Sequence, residues 1–169
     1  MATFRDTSQA VHFAYMIDAY PAGPVSEVAR AVPAPRSRVD FGGLSAAEVR
    51  VECQRIRQSV KSTLPPLELA AIEARFSPGL DGKLAGLWKI AAHLADKLEA
   101  DPTIMESIAL RHYQAQPWSM RELAAKHGVS KDRILRLVKR MEREVRAIES
   151  QAFAKLQKQF ESNELVEAA

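Results

Sequence analysis

Ser119-Met-Arg-Glu-Leu-Ala-Ala-Lys-His-Gly128-Val-Ser-Lys-Asp-Arg-Ile-Leu-Arg-Leu-Val-Lys-Arg-Met-Glu-Arg143 reads as a capped short helix, a glycine turn and a second, basic helix. Ser119 and Glu122 have capping-box spacing, in which hydroxyl and carboxylate reciprocally satisfy backbone N–H groups left open at a helix start. The short helix is expected through Leu123, Ala124 and Ala125 to Lys126. Gly128 follows where a chain leaving a helix adopts a left-handed conformation, which Gly enters without a Cβ clash. Val129 is the buried turn residue and Ser130 the cap of the next helix, whose Ile134, Leu137, Val138 and Met141 form one apolar stripe. Ala124 is small enough for the two helices to cross closely. The expectation is an all-α, multi-helix protein with a helix-turn-helix at 119–146.

Lys131, Arg133, Arg136, Lys139, Arg140 and Arg143 fall largely outside the apolar stripe, free to reach phosphates or base edges. Residues 119–148 hold nine Lys or Arg against four Asp or Glu, a balance of +5, whereas the whole 169-residue chain is only +3. Everything outside the motif is therefore −2. Such concentration is the electrostatic footprint of a nucleic-acid reader, because neutralising phosphates releases counterions. The candidate DNA-contacting residues are Ser119, Arg121, Ser130, Lys131, Asp132, Arg133, Arg136, Lys139, Arg140 and Arg143, with double-stranded DNA as the partner.

Upstream of the motif, Asp101-Pro102 pairs an N-cap with a proline at the first helical position, launching a helix to about residue 115. Its Ile104, Met105, Ile108, Ala109 and Tyr113 suit packing against the motif. Residues 82–98 form another helix with Asp81 as candidate cap, where Leu84, Leu87, Trp88, Ala91 and Leu94 recur at helical spacing. Gly86 weakens that helix but permits close approach of a neighbour. Leu64-Pro65-Pro66 opens a helix to about Phe76, with Leu69, Ile72 and Phe76 on one face. Leu44, Ser45, Glu48 and Val49 combine a capping box with a hydrophobic staple for a helix to about Ser62, whose Arg50, Arg55, Arg57 and Lys61 alternate with acids as a solvated face.

Residues 33–43, Pro-Ala-Pro-Arg-Ser-Arg-Val-Asp-Phe-Gly-Gly, read as a linker. Before it, residues 1–32 form an N-terminal helical arm, with a helix over 7–20 stopped by Pro21 and a short one from Ser26 to Val32. Its His12, Phe13, Tyr15 and Tyr20 either pack on the core or anchor another chain. Residues 44–160 are read as the helical DNA-binding domain. Past Arg146, Ile148, Ala152, Leu156 and Phe160 continue a stripe at four-residue intervals, suited equally to core packing and to self-association. Residues 161–169 are expected to fray as an acidic tail.

Composition narrows the alternatives. One cysteine, Cys53, excludes an intramolecular disulfide framework and a multi-cysteine zinc site, and is expected as a packed thiol. No apolar run approaches the roughly 20 residues of a membrane span, and no signal segment opens the chain, so a cytoplasmic protein without membrane contact is expected. His12, His93, His112 and His127 lack metal or nucleophile spacing, and no glycine-rich phosphate loop occurs. Neither an enzyme nor a cofactor is expected.

Ile108-Ala-Leu-Arg-His-Tyr113, followed by the motif and its long basic helix, resembles the promoter-binding C-terminal region of bacterial sigma factors over about residues 104–148. The resemblance implies that Ser119 to Lys126 supports a recognition helix in the major groove, with Lys131, Asp132, Arg133 and Arg136 closest to the bases. Leu135 stands where that family often has a polar residue, and Pro117-Trp118 replaces a shorter, Gly-rich turn. Core-binding helices of a sigma factor are not recognisable upstream. In size and in the Leu110, Tyr113, Leu123, Ala124, Gly128, Ser130 and Ile134 pattern, the chain is similar to phage Q-type antitermination proteins. That likeness implies a late-gene regulator that binds DNA near a promoter and loads onto RNA polymerase. A DNA-packaging recognition subunit of the small-terminase type, or a dimeric repressor, are the alternative readings.

Overall fold

The computed structural model describes residues 4, 6–17 and 45–166. Seven α-helices occupy them: α1 (Thr7–Met16), α2 (Ala46–Thr63), α3 (Pro66–Phe76), α4 (Leu80–Lys97), α5 (Pro102–His112), α6 (Met120–His127) and α7 (Lys131–Ser162). Their only β pairing is an isolated bridge between Phe4 and Val166, so the fold is all-α. No described helix is long and apolar enough to cross a membrane. The linker at 33–43, the short helix at 26–32, Tyr20 and the staple residue Leu44 lie outside the described residues.

Two compact units divide the chain, and the stretch 44–160 read as one domain contributes to both. One unit is Leu64–Ala152; the other joins Met1–Thr63 to Phe153–Ala169. In the first, Pro66 sits in the opening turn of α3, and Asp101 caps α5 by accepting from the N–H groups of Thr103 at 2.8 Å and Ile104 at 3.3 Å. Apolar side chains at helical spacing then meet in one core: Ala70, Ala71 and Ala74 from α3, Leu87, Ile90, Ala91 and Leu94 from α4, and Ile104, Met105 and Ile108 from α5. Gly86 lets α3 and α4 touch at backbone distance. A Cβ there would lie 2.5 Å from the Ala70 carbonyl oxygen and 2.8 Å from the Ala74 nitrogen, closer than real carbon atoms approach.

The start of α4 differs from the sequence expectation. Gly79 is its N-cap and makes no side-chain cap bond, while Asp81 lies within the first turn, where the helix dipole favours an acid without a capping bond. Trp88 is 40% exposed, because Leu87, Ala91 and Leu94 take the inner face and a residue one step further turns by about 100°. An ion pair between an exposed arginine and a buried glutamate joins α3 to α7: Arg75 Nη1 donates to Glu149 Oε2 at 2.5 Å. Burial pushes the Glu149 carboxyl above the usual range, against the opposing pull of Arg75. Its second oxygen and the Tyr113 hydroxyl are both buried with no hydrogen-bond partner.

In the second unit, Asp6 caps α1 through the Gln9 N–H at 2.8 Å, and residues 18–20, the expected end of this helix, lie outside the described residues. Ala10, Val11, Ala14 and Tyr15 are buried, half-buried Phe13 pairs with buried Phe4 at 6.0 Å, and His12 is exposed, so only part of this aromatic cluster packs inward. Ser45 and Glu48 form the expected capping box of α2, at 2.7 Å and 3.3 Å. Arg57 leaves the solvated face expected of it: half-buried, it donates to the Ala14 carbonyl at 3.1 Å. Cys53, Ile56 and Val60 are buried on α2, and Cys53 forms no disulfide.

Residues 161–166 do not fray. Glu164 takes a positive φ of 55°, which turns the chain so that the Phe4 N–H donates to the Leu165 carbonyl at 3.0 Å. Val166 is buried, and Thr7 Oγ1 donates to Gln157 Oε1 on α7. Apolar Leu165 and Val166, not the glutamates around them, decide the outcome.

Candidate nucleic-acid interface

The capping box that opens α6 is complete. Ser119 N–H donates to Glu122 Oε2 at 2.7 Å, and Glu122 N–H to Ser119 Oγ at 3.2 Å. The bond to Ser119 holds the Glu122 carboxyl below the usual carboxylate range. Gly128 closes the helix at φ 62°, and the Val129 N–H reaches back to the Ala124 carbonyl at 3.1 Å. Ser130 Oγ accepts from the Arg133 N–H at 3.2 Å and so caps α7. Two helices with one glycine turn between them follow from these local bonds.

The inner faces of α6 and α7 are dry. Leu123 and Ala124 join Ile134, Leu137, Val138, Met141 and Val145 in the core of this unit. Three contacts outside the motif fix α6 further. His127 Nε2 lies 2.9 Å from Ser107 Oγ of α5, and Lys126 Nζ donates to the same oxygen at 3.1 Å. Lys126 Nζ also stands 3.9 Å from the centre of the Trp118 ring, a cation–π contact, while Arg111 Nε donates to the Trp118 carbonyl at 3.0 Å. The unusual Pro117-Trp118 approach is therefore tied to α5 on one side and to α6 on the other.

All ten sequence-nominated residues lie on the surface. Ser119 and Arg121 sit at the start of α6, and Ser130, Lys131, Asp132, Arg133, Arg136, Lys139, Arg140 and Arg143 run along the cap and first three turns of α7. Among the described residues, no carboxylate lies within ion-pair distance of Arg121, Lys131, Arg133, Arg136, Lys139, Arg140 or Arg143. Helical rotation then separates them into neighbouring rows. Arg133, Arg136 and Arg140 border a cleft of about 330 Å3 with Leu98, Glu99, Ala100 and Leu137. Lys139 and Arg143 border another surface hollow with Glu142 and Arg146. Lys131, Asp132, Leu135 and Lys139, spaced by three and four residues, share the remaining side.

The arrangement presents fixed positive charge on a rigid helix whose opposite face is locked into a core. That surface can neutralise phosphates, and its arginines carry planar donor forks able to pair two-pronged with guanine. No metal-binding cluster of His, Cys, Asp or Glu occurs among the described residues. His112, partly buried and pushed down in pKa by that burial, packs edge-on against Tyr113 at 4.8 Å and belongs to the support of the motif.

No protein-family model matches the chain, and no curated protein matches it.

Sequence reasoning missed the anchors of α6. Ser107 carried no signal, being one small polar residue inside an apolar helix face. Lys126 counted as one more cation, although the Ser107 hydroxyl and the Trp118 ring occupy it. Arg146 was countable in the charge balance and extends the exposed basic row by one turn beyond Arg143.

Proposed function

We propose that this chain is a DNA-binding regulator of transcription, of the type phages use for late genes. In this reading it binds a promoter-proximal site and acts as an antitermination factor by loading onto RNA polymerase. The observation that carries the DNA-binding half is the exposed, unpaired cation face of α7, set immediately after a fully capped α6 and a left-handed Gly128. Counterion release favours contact with a polyanion there, and an α-helix fits the major groove. The sigma-like pattern of residues 104–148 supports the transcriptional half.

The dimeric-repressor alternative rested on the stripe Ile148, Ala152, Leu156 and Phe160; these residues are buried in the single chain, which favours core packing over dimerisation through them. A packaging subunit would form a stable ring, which the mass in solution distinguishes from a monomer.

The test is selection of genomic DNA fragments by the purified chain, followed by transcription of an enriched fragment with RNA polymerase. Initiation, pausing and readthrough are scored separately. Readthrough that rises only when the enriched site is present supports the proposal. No enriched fragment at moderate salt overturns it, and enrichment without any change in transcription overturns its antitermination half.

A further inference from the structure

On the outer side of α7, Leu135 is out of place. It is 36% exposed and is the one exposed large hydrophobic of that helix. Its helical neighbours are Lys131 and Lys139, four residues before and after, and Asp132, three before, all exposed. At about 100° per residue, Lys131 and Lys139 lie about 40° to either side of Leu135 and Asp132 about 60° away. Arg133, Arg136 and Arg140, in contrast, turn towards the cleft beside Leu98, Glu99 and Ala100. The recognition helix thus has an arginine side and a mixed side with an apolar residue at its middle.

We infer that Leu135 reads sequence, packing its side chain against the 5-methyl group of a thymine in the major groove. The inference rests on the DNA-binding reading given above. Its occupant follows from the surroundings: an apolar side chain flanked by two cations is held against a polyanion, and the thymine methyl is the apolar group that a polyanionic duplex displays in its major groove. Asp132 beside it fits the same side. A carboxylate repels phosphates but accepts a hydrogen bond from the exocyclic amine of cytosine, so this side of α7 faces base edges as well. Ile134, Leu137 and Val138 supply the buried stripe of this stretch, and Leu135 stands outside it.

The experiment starts from a duplex selected out of a random library by the full chain. Each thymine is then replaced singly by deoxyuridine, which removes only the methyl group. One or two replacements should weaken wild-type binding about fourfold, the value of one buried methyl-sized group. Leu135→Ala should bind the parent duplex with a similar loss and be indifferent to those same replacements. Leu135→Met, which keeps apolar reach, should retain the sensitivity, and unchanged unfolding midpoints in both variants show that the fold is intact. Wild-type affinity unaffected by every replacement overturns the assignment, as does a Leu135→Ala chain as sensitive as wild type. Both leave DNA binding standing. A chain that retains no duplex from the library overturns the DNA-binding reading itself. Loss of polymerase association in Leu135→Ala with its DNA affinity intact assigns the residue to a protein contact and also overturns the proposal.

Discussion

The two halves of α7 have the same length and the same kind of buried stripe but opposite outer faces. Residues 131–146 carry seven Lys or Arg and three Asp or Glu; residues 147–162 carry two of each. Ile134, Val138, Met141 and Val145 are buried in the first half, and Ala152, Leu156 and Phe160 in the second. Packing therefore accounts for the inner face throughout and leaves the charge of the first half unexplained. A face whose composition the fold does not require is where binding chemistry is to be sought.

The comparison breaks first if the two stripes are not equivalent. Ile134→Ala and Leu156→Ala remove fully buried side chains and should each cost about 2–5 kcal/mol in denaturant unfolding. A value near zero for either would show that half to be loosely packed. On the outer face the halves should part. Arg133→Ala and Arg136→Ala should each weaken binding to the selected DNA by about 1–3 kcal/mol where a two-pronged base contact is lost. Lys155→Ala with Lys158→Ala should leave it unchanged, and equal losses from both pairs would dissolve the distinction. Ser119→Ala removes one arm of the capping box and should cost about 1 kcal/mol of stability, measured by thermal unfolding.

A smaller effect sharpens the inner face. Glu149 is the buried acid of the second half, with its folded pKa raised by burial. Its unfolded form ionises first, so the native state binds the proton more tightly and this group's contribution favours folding at low pH. That contribution should fall as pH rises from the ordinary carboxylate range through the raised folded value. Glu149→Gln should flatten the corresponding slope in unfolding free energy against pH; an unchanged slope would place the titration elsewhere.

Local chemistry was legible in the sequence and distant closure was not. The Ser119–Glu122 box, Gly128, the Asp101 cap and the Ser45–Glu48 box each involve residues within a few positions of one another, so spacing alone specifies them. Gly86 was legible as a close approach because few other reasons keep glycine inside a helix. Trp88 was misplaced because periodicity identifies a stripe but not its width. The exposed positions of all ten nominated residues follow from the same periodicity that buries Ile134 and Met141. Ser107 with His127, Arg57 with Ala14 and Phe4 with Leu165 join residues 20, 43 and 161 positions apart. A hydroxyl, a guanidinium or a backbone N–H can find such a partner in many folds, and no single-sequence pattern announces which.

One unit is contiguous and the other is closed by segments from far-separated parts of the chain, and this matters while the protein is being made. Synthesis proceeds from the N-terminus, so the unit of residues 64–152 can fold once its own sequence has emerged. The helices α1 and α2 emerge before that unit yet complete their core after it. They must wait for Phe160, Leu165 and Val166 to complete their core. Throughout that interval the nascent chain holds a finished helix-turn-helix unit and an unfinished apolar surface. Emergence of residues 153–166 is thus the step that ends its exposure to chaperones and proteases.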